Sequence, residues 1–352
     1  MKIGIIGAGY VGVIVGLGFG KLGHDVILTD IDLEKVNLIN RGICPFFEPG
    51  ASELLGNLRG NVKAVATLDQ AVKESDIIFL CVGTPFNLDG SDGLSALKTA
   101  VSNVGGAILL HGNQYPIIVI KSTVLPGTTE DILIPILEKE SGRKVGKDLG
   151  VVVNPEFLRE GKALSDFSNP SRVIIGEIDS VSAEKVTELH KNVLAPIIRV
   201  NARTAEMIKC ASNAALATRV SLVNEIGNIC KLLGIDIYEV ANAVGLDERI
   251  GPHFFQAGIG FGGSCFPKDV RGLISKARVY GYEPTLLESV ITVNENQPIR
   301  LVKLAESKVG NLKGKKVAVL GLAFKPGTDD MREAPSLKVI QELLKRGCSV
   351  VA

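Results

Sequence analysis

The chain has 352 residues, of which 46% are hydrophobic and 22% are charged, and its formal net charge is +1. This balance excludes a disordered or strongly basic protein, and it predicts no nucleic-acid or membrane partner. Single cores stop growing at about 250–300 residues, so the length predicts two or three domains. The six cysteines form no C-x-x-C pair and the first residues lack a signal-peptide pattern. We therefore predict a cytoplasmic protein with free thiols.

Short apolar strands alternate with helical segments through the first part of the chain. The predicted strands lie at 2–6, 25–29, 76–82, 117–121, 151–154 and 173–175. Alternation of this kind is typical of an α/β fold, in which helices cover both faces of a doubly wound parallel sheet.

A glycine motif, Gly-Ala-Gly-Tyr-Val-Gly at 7–12, follows the first strand and opens a helix. Gly7 allows a tight turn, Gly9 lets a pyrophosphate approach the backbone, and Gly12 lets the helix pack on the strand. Asp30 ends the second strand, where a carboxylate binds ribose hydroxyls and repels a 2′-phosphate. The pattern predicts a Rossmann-like domain that binds NAD rather than NADP. The alternative is the same fold without a cofactor.

Polar residues follow three later strands. The segments are Val-Gly-Thr-Pro at 82–85, Lys-Ser-Thr at 121–123, and Asn-Pro-Glu-Phe-Leu-Arg-Glu-Gly at 154–161. Ligands bind at the carboxyl ends of parallel strands, so these segments are candidate cofactor or substrate contacts. In the third segment a carboxylate could activate water and the arginine could meet a phosphate. Ordinary turns and a capped helix start explain the same residues equally well.

The pattern becomes helical between 203 and 233, which predicts one helix of about 30 residues, and helical segments continue to 296. This predicts a central all-helical domain. Lys209 and Asn213 share one face of the long helix, where an ammonium and an amide can bind a developing oxyanion. The alternative is a solvated lysine beside a polar neighbour.

A glycine-rich loop, Gly-Phe-Gly-Gly-Ser-Cys-Phe-Pro-Lys-Asp at 260–269, places Cys265 beside Lys268 and Asp269. Glycines allow a ligand close to the backbone, and a nearby cation favours the nucleophilic thiolate. Asp269 could act as a base or hold a water molecule. The loop and the glycine motif together indicate covalent catalysis coupled to hydride transfer. The four histidines show no metal-ligand spacing, and we predict no metal.

The end of the chain contains a strand at 315–320, a helix at 336–345 and a strand start at 349–352. This predicts a second Rossmann-like domain, which we expect to be incomplete because it leaves sheet edges uncovered. The predicted domains are an NAD-binding domain at 1–202, a helical domain for dimerisation and catalysis at 203–300, and the start of a nucleotide-sugar domain at 301–352.

The motifs above occur in the order found in nucleotide-sugar 6-dehydrogenases, and the chain resembles that family over essentially its whole length. The resemblance implies that C6 of a sugar is oxidised twice, to a carboxylate, while two NAD are reduced. It implies that Cys265 forms a thiohemiacetal and then a thioester, and that Lys209 and Asn213 stabilise the oxyanions.

The remaining roles also come from the resemblance. Glu156 would be the acid/base for thioester hydrolysis, and Asp269 and Thr123 would position water or shuttle protons. The cofactor contacts, including the glycine motif, are Gly7, Gly9, Tyr10, Val11, Gly12, Asp30, Lys35, Gly83, Thr84, Thr123, Glu160, Lys268 and Arg332. The substrate contacts are Glu156, Phe157, Leu158, Arg159, Lys209, Asn213, Arg249, Phe254, Phe255, Gln256, Ala257, Gly258, Gly262 and Lys325.

The resemblance further implies a homodimer built on the long central helix, with Arg249 reaching the substrate of the partner. Phe266 and the Arg-Glu-Gly at 159–161 favour UDP-glucose over GDP-mannose or a UDP-N-acetylhexosamine. A simple 2- or 3-hydroxy-acid dehydrogenase is an alternative that leaves Cys265 idle. Family members continue for about another half domain, so an inactive NAD-binding chain that needs a complementing C-terminal chain is the other alternative.

Overall fold

The computed structural model describes residues 1–85, 93–111 and 114–352. They divide into two compact units, the first ending at Lys209 and the second containing Cys210–Ala352. The three-domain division stays a prediction.

The first unit is built on one eight-stranded sheet. Its strands are β1 Lys2–Ile6, β2 Asp25–Thr29, β3 Val62–Val65, β4 Ile77–Leu80, β5 Ile117–Ile120, β6 Gly150–Val153, β7 Val173–Glu177 and β8 Ile197–Asn201. They are ordered β3-β2-β1-β4-β5-β6-β7-β8, and the first six run parallel. The strand order reverses between β1 and β4, because β2 and β3 extend the sheet on one side of β1 and the later strands extend it on the other. Doubly wound sheets bind their ligands at such a reversal.

Helices cover this sheet because its strands are apolar on both faces. The helices of the unit are α1 Tyr10–Lys21, α2 Leu33–Asn40, α3 Ala51–Asn57, α4 Leu68–Lys73, α5 Ser95–His111, α6 Ile134–Ser141, α7 Ala163–Ser168 and α8 Ser180–Leu189. A π-helical turn, Thr129–Leu133, precedes α6. Alternate residues of each strand enter two separate cores: Ile5 and Phe79 lie in one, and Ile6 and Leu80 lie in the other.

Two strands of the sheet differ in direction from the predicted parallel arrangement. β7 pairs with β6 antiparallel, and β8 follows β7 in parallel. The link between β6 and β7 contains only the six-residue helix α7, so the chain does not cross back over the sheet. The segment at 154–161 therefore stays at the carboxyl edge of β6. The outer strands β3 and β8 had no counterpart among the predicted strands.

The second unit is mainly helical. The long helix α9, Ala202–Leu233, begins in the first unit and continues into the second. The helices α10 Ile237–Gly245, α11 Phe266–Val279 and α12 Thr285–Val309 follow. The strands β9 Lys316–Ala318 and β10 Ser349–Val351 pair in parallel, and helix α13, Pro335–Lys345, lies between them in the chain. The predicted α/β fold, with a Rossmann-like sheet and a helical central region, is confirmed.

Candidate active site

The glycine motif forms a tight turn between β1 and α1. Gly7 has a φ of +102°, and a Cβ atom at this position would lie 2.8 Å from the carbonyl oxygen of Cys81. A Cβ atom at Gly12 would lie 1.9 Å from the Gly7 carbonyl oxygen, whereas one at Gly9 would meet nothing within 4 Å. The turn is closed on its inner side and open at Gly9, beside the start of α1 at Tyr10. These residues fit a pyrophosphate that approaches the helix N-terminus.

Asp30 and Lys35 lie beside this turn, as the predicted cofactor contacts require. The Asp30 carboxylate accepts hydrogen bonds from the N–H groups of Ala8, at 2.7 Å, and Asp32, at 3.0 Å. The Nζ of Lys35 lies 3.9 Å from Asp30 Oδ1. The carboxylate at the tip of β2 is thus fixed against the glycine turn, where it fits a ribose hydroxyl pair.

Tyr10 is a predicted cofactor contact whose hydroxyl is occupied within the protein. It donates to the buried carboxylate of Glu48, which also accepts from the N–H groups of Gly161, at 2.6 Å, and Ala163, at 2.7 Å. Burial and the Glu48 charge raise the pKa of Tyr10 above its ordinary value. Glu48, which was not among the predicted site residues, connects the helix of the glycine motif to the segment after β6. A lone glutamate between Phe47 and Pro49 gives no local sign of this role.

The tips of β4 and β5 are joined directly. The hydroxyl of Thr84 donates to the carbonyl oxygen of Thr123 at 2.7 Å, and the hydroxyl of Ser122 donates to the carbonyl oxygen of Val82 at 2.6 Å. The structure therefore brings the predicted contacts Gly83, Thr84 and Thr123 together at the carboxyl edge of the sheet.

Glu156 and Lys209 form a buried ion pair in the first unit. Lys209 Nζ lies 3.0 Å from Glu156 Oε1, with the two side chains 5% and 6% exposed, and Glu156 Oε2 accepts from the Leu158 N–H at 2.6 Å. Burial alone would raise the pKa of Glu156, but Lys209, the Leu158 N–H and Lys121 outweigh burial and lower this pKa. Glu156 is therefore an anion, suited to accept a proton.

Lys121, which begins the candidate segment at 121–123, is a second buried cation close to this pair. Its Nζ donates to Asn154 Oδ1 at 2.8 Å, and Asn154 Nδ2 donates to the Ile174 carbonyl oxygen at 2.8 Å. Burial lowers the pKa of Lys121 to about 8, although Cys81 and Glu156 oppose the shift. The Lys-Ser-Thr and Asn-Pro-Glu segments thus meet through their first residues.

Other predicted contacts in the segment after β6 point to different partners. Arg159, expected to meet a phosphate, is exposed, and its guanidinium donates two hydrogen bonds to Asp166, at 2.9 and 2.6 Å. The ring of Phe157 lies 4.0 Å below the Arg172 guanidinium carbon and 5.3 Å from Lys209 Nζ. Phe157 therefore packs against both cations.

Cys265 lies in the second unit, at the residue that precedes α11. Its thiol is half-buried, and its Sγ lies 3.5 Å from the hydroxyl oxygen of Ser264. Asp269 follows one helical turn later, is 4% exposed, and accepts from Asn213 Nδ2 at 2.6 Å and from Lys268 Nζ at 2.5 Å. The structure thus joins the predicted residues Asn213, Lys268 and Asp269. Helix N-termini favour negative charge, which is a setting that suits a nucleophilic cysteine.

The predicted substrate loop at 254–262 and the segment after β9 belong to the same unit. Phe254 has a left-handed φ of 58°, and a Cβ atom at Gly262 would lie 2.3 Å from the Glu333 carbonyl oxygen. The Gly263 N–H donates to the Arg332 carbonyl oxygen at 2.8 Å. The predicted contact Arg332 is therefore close to the loop through its backbone, while its guanidinium pairs with Asp330 at 2.8 Å.

Two further predicted substrate contacts are the charged residues Arg249 and Lys325. Arg249 is exposed and pairs with Asp247 at 2.6 Å, two residues earlier in the chain. Lys325 lies with its Nζ 5.4 Å from the ring centre of Phe324. Gln256 is exposed and Phe255 is buried.

Comparison with known proteins identifies the family. The chain matches the UDP-glucose/GDP-mannose dehydrogenase family in its NAD binding domain over residues 1–194, its central domain over 203–296 and its UDP binding domain over 318–352. The chain belongs to this family. It is therefore an oxidoreductase that uses NAD, and the predicted family and cofactor are both confirmed.

Individual relatives carry two different substrate names. UDP-glucose 6-dehydrogenase AglM of Haloferax volcanii is 43% identical and matches 100% of this chain and 82% of its own length. GDP-mannose 6-dehydrogenase of Pseudomonas putida is 41% identical, over 99% of this chain and 79% of its own. The solved UDP-glucose dehydrogenase of Pyrobaculum islandicum is 42% identical with a TM-score of 0.96, over 99% of this chain and 80% of its own.

No helix in residues 1–85, 93–111 and 114–352 is long and apolar enough to cross a membrane. Within the same ranges, no three His, Cys, Asp or Glu side chains are grouped to hold a metal ion.

Proposed function

We propose that this protein oxidises UDP-glucose at C6 to UDP-glucuronate in two NAD-dependent steps. Family membership supports the reaction class, and the name and 43% identity of the Haloferax relative support UDP-glucose. One observation carries the covalent mechanism. The half-buried thiol of Cys265 precedes α11 by one residue, and Asp269, one turn later, is held at 2.6 Å by Asn213.

The first oxidation converts the C6 alcohol to an aldehyde. NAD, when bound, takes up a hydride ion from C6 in each of the two oxidations. We assign to Lys209 and Asn213, on successive turns of α9, the stabilisation of negative charge on the C6 oxygen. Asp269 and Thr123 shuttle the hydroxyl proton to water, since a carboxylate and a hydroxyl can both accept and pass on a proton.

The covalent steps then proceed on Cys265. Its Sγ bonds to the aldehyde carbon, and the C6 oxygen gains a proton to give a thiohemiacetal. The second oxidation removes a hydride ion from C6 and a proton from the C6 oxygen and leaves a thioester. Water adds to this carbon, the C–S bond breaks, and the sulfur leaves as a thiolate. Glu156, kept anionic by Lys209 at 3.0 Å, takes the proton of the attacking water. Each sugar consumes one water and two NAD.

GDP-mannose is the second candidate substrate, because a GDP-mannose 6-dehydrogenase is nearly as similar, at 41% identity. The test is the yield of NADH per sugar when purified protein and excess NAD are mixed with limiting UDP-glucose, GDP-mannose or a UDP-N-acetylhexosamine. We expect two NADH per UDP-glucose and little from the others. Two NADH from GDP-mannose alone would reassign the substrate, and one NADH per sugar would favour a simple dehydrogenase.

We also propose the predicted assembly and domain division. The family matches over 1–194, 203–296 and 318–352 support an NAD-binding domain at 1–202, a central domain at 203–300 and a nucleotide-sugar domain from 301. A homodimer through α9 is supported by the exposed apolar side chains of Leu222, Ile229 and Leu233, which share one helix face.

A further inference from the structure

The backbone of the loop before Cys265 is held by side-chain amides from two helices. Asn294, on α12, grips Phe261 twice: its Oδ1 accepts from the Phe261 N–H at 2.7 Å, and its Nδ2 donates to the Phe261 carbonyl oxygen at 2.9 Å. One side chain therefore satisfies both backbone polar groups of a loop residue that lies four positions before the thiol.

Gly258 is held in the same way by two further amides. Asn224, on α9, accepts from the Gly258 N–H at 2.7 Å, and Gln297, on α12, donates to the Gly258 carbonyl oxygen at 2.9 Å. We call Asn224, Asn294 and Gln297 the amide clamp. Their side chains are buried, with exposures of 1%, 5% and 4%, and the two bonds to Phe261 are made away from water, whereas the bonds to Gly258 are partly buried.

The loop depends on these bonds because its backbone has no helix or strand hydrogen bonds of its own. Residues 251–262, all described by the structure, include no helix or strand. Buried N–H and C=O groups are costly unless they are paired, so a loop of this kind needs partners from outside itself. The clamp provides them at 258 and at 261.

Steric fit also restricts the loop at the clamp. Gly260 has a φ of +101°, and a Cβ atom there would lie 2.7 Å from Asn294 Oδ1 and 3.3 Å from the Asn294 carbonyl oxygen. In a regular helix the Asn294 carbonyl oxygen would accept from the N–H of residue 298, but Pro298 has no N–H to donate. The loop therefore approaches α12 where one helical hydrogen bond is not formed. The close approach and the hydrogen bonds together fix one backbone path.

We propose that the amide clamp positions the substrate loop and Cys265 for the dehydrogenase reaction. The inference rests on the function proposed above, in which 254–258 contacts the sugar nucleotide and Cys265 attacks C6. Gly258 ends the predicted substrate segment 254–258, and Phe261 leads into the segment that contains Cys265. Because the clamp holds both, it sets where the sugar binds relative to the sulfur. These amides are positioning residues, since they act through the loop.

Turnover by two variants and a matched control tests the proposal. Asn294→Ala removes both hydrogen bonds to Phe261, and Gln297→Met removes the one to the Gly258 carbonyl oxygen. Asn296→Ala changes an exposed amide of the same helix whose Nδ2 donates to the Thr292 carbonyl oxygen at 2.8 Å. We expect the two clamp variants to raise KM for the nucleotide sugar about tenfold or more, because a buried group loses its partner. KM for NAD and all constants of the control should stay at wild-type values.

A second readout needs no turnover. Cys265 is the half-buried cysteine, and the other five are buried, so iodoacetamide followed by peptide mass spectrometry reports on Cys265. We expect Asn294→Ala to speed alkylation of Cys265 and hydrogen exchange of the Phe261 amide severalfold, and UDP-glucose to protect the thiol less well than in wild type. The Asn296→Ala control should alkylate and exchange like wild type.

The outcomes separate this inference from the proposed function. Clamp variants that keep the wild-type sugar KM, alkylation rate and amide exchange, and lose only thermal stability, would show a merely structural role and overturn the inference. Wild type that makes no NADH from any nucleotide sugar would instead refute the proposed function. Alkylation and exchange would still decide whether the clamp positions the loop and Cys265.

Discussion

Two buried carboxylates, Glu156 and Asp269, differ in what holds them. Glu156 faces an ammonium at 3.0 Å and one N–H at 2.6 Å, while Asp269 accepts from an amide at 2.6 Å and an ammonium at 2.5 Å. We assign proton removal from water to Glu156 and proton shuttling to Asp269. Because the two roles belong to different side chains, a substitution at Glu156 should block hydrolysis without blocking the steps before it.

Glu156→Gln should trap the thioester. The amide keeps the size of the side chain but cannot accept a proton, so hydrolysis should slow by about 10²-fold or more while both oxidations continue. Rapid mixing should then give a burst of two NADH per active site, and intact-mass spectrometry should show an acyl adduct. The exposed Glu184→Gln on α8 is the control. Steady wild-type turnover by Glu156→Gln would contradict the assignment.

His190 predicts how stability depends on pH. It is 5% exposed, and burial, together with the charge of Lys121, lowers its pKa to about 4 from the ordinary 6.5. The unfolded chain therefore binds the proton more readily. The contribution of neutral His190 to the free energy of unfolding is fully present above pH 6.5 and is lost as the pH falls towards 4. The loss is at most about 3 kcal/mol.

Urea unfolding at pH 7.5 and pH 5 measures this effect. His190→Gln should lose less unfolding free energy between these pH values than wild type, because its side chain does not titrate. The exposed His111→Gln should behave like wild type. An unchanged pH dependence in His190→Gln would show that other groups account for the loss.

At the scale of elements, the strand tips could be predicted and the contacts between them could not. Runs such as Ile-Ile-Val-Ile at 117–120 and the glycine motif identify β5, β1 and α1 because the signal is local. Glu48 was missed, and the bond from Lys121 to Asn154 was not predicted, because the partners Gly161 and Asn154 lie far away in the chain. The direction of β7 was missed because periodicity does not record it.

The turn between β1 and α1 gives a prediction that separates folding from binding. Gly9→Ala places its methyl group in open space, so stability should change by less than about 1 kcal/mol, but NAD affinity should fall about tenfold or more, because the methyl blocks the pyrophosphate. Gly12→Ala places a methyl 1.9 Å from the Gly7 carbonyl oxygen and should destabilise the fold.

Calorimetry with NAD and thermal unfolding measure the two effects. A Gly9→Ala protein that binds NAD like wild type would show that the pyrophosphate lies elsewhere. Normal stability in Gly12→Ala would show that the turn can relax away from the added methyl group.

At the scale of the whole molecule, the sequence predicted the α/β class, the family and NAD, because the motifs keep their order along the entire chain. The oligomeric state depends on exposed surfaces, which the hydrophobic pattern of the sequence describes poorly. Ile229, four residues before the end of α9, is 52% exposed and shares its helix face with the exposed Leu222 and Leu233, which makes an apolar patch.

Ile229→Glu should convert the proposed dimer to monomers. The charge enters the apolar face of Leu222 and Leu233, where desolvation is costly. Sedimentation velocity at micromolar concentration measures the change. Lys231→Glu, on the opposite side of the helix, should remain dimeric. A monomeric wild type, or an Ile229→Glu protein that sediments like wild type, would contradict a dimer through this face.

The central claim is covalent catalysis by Cys265, and NADH counted per UDP-glucose in wild type, Cys265→Ser and the buried-cysteine control Cys230→Ala tests it most directly. We predict two NADH per sugar and free uronate from wild type and from the control. Cys265→Ser should release no uronate, since its weaker nucleophile stops the reaction before the thioester. Two NADH and free uronate from Cys265→Ser at the wild-type rate would contradict the account.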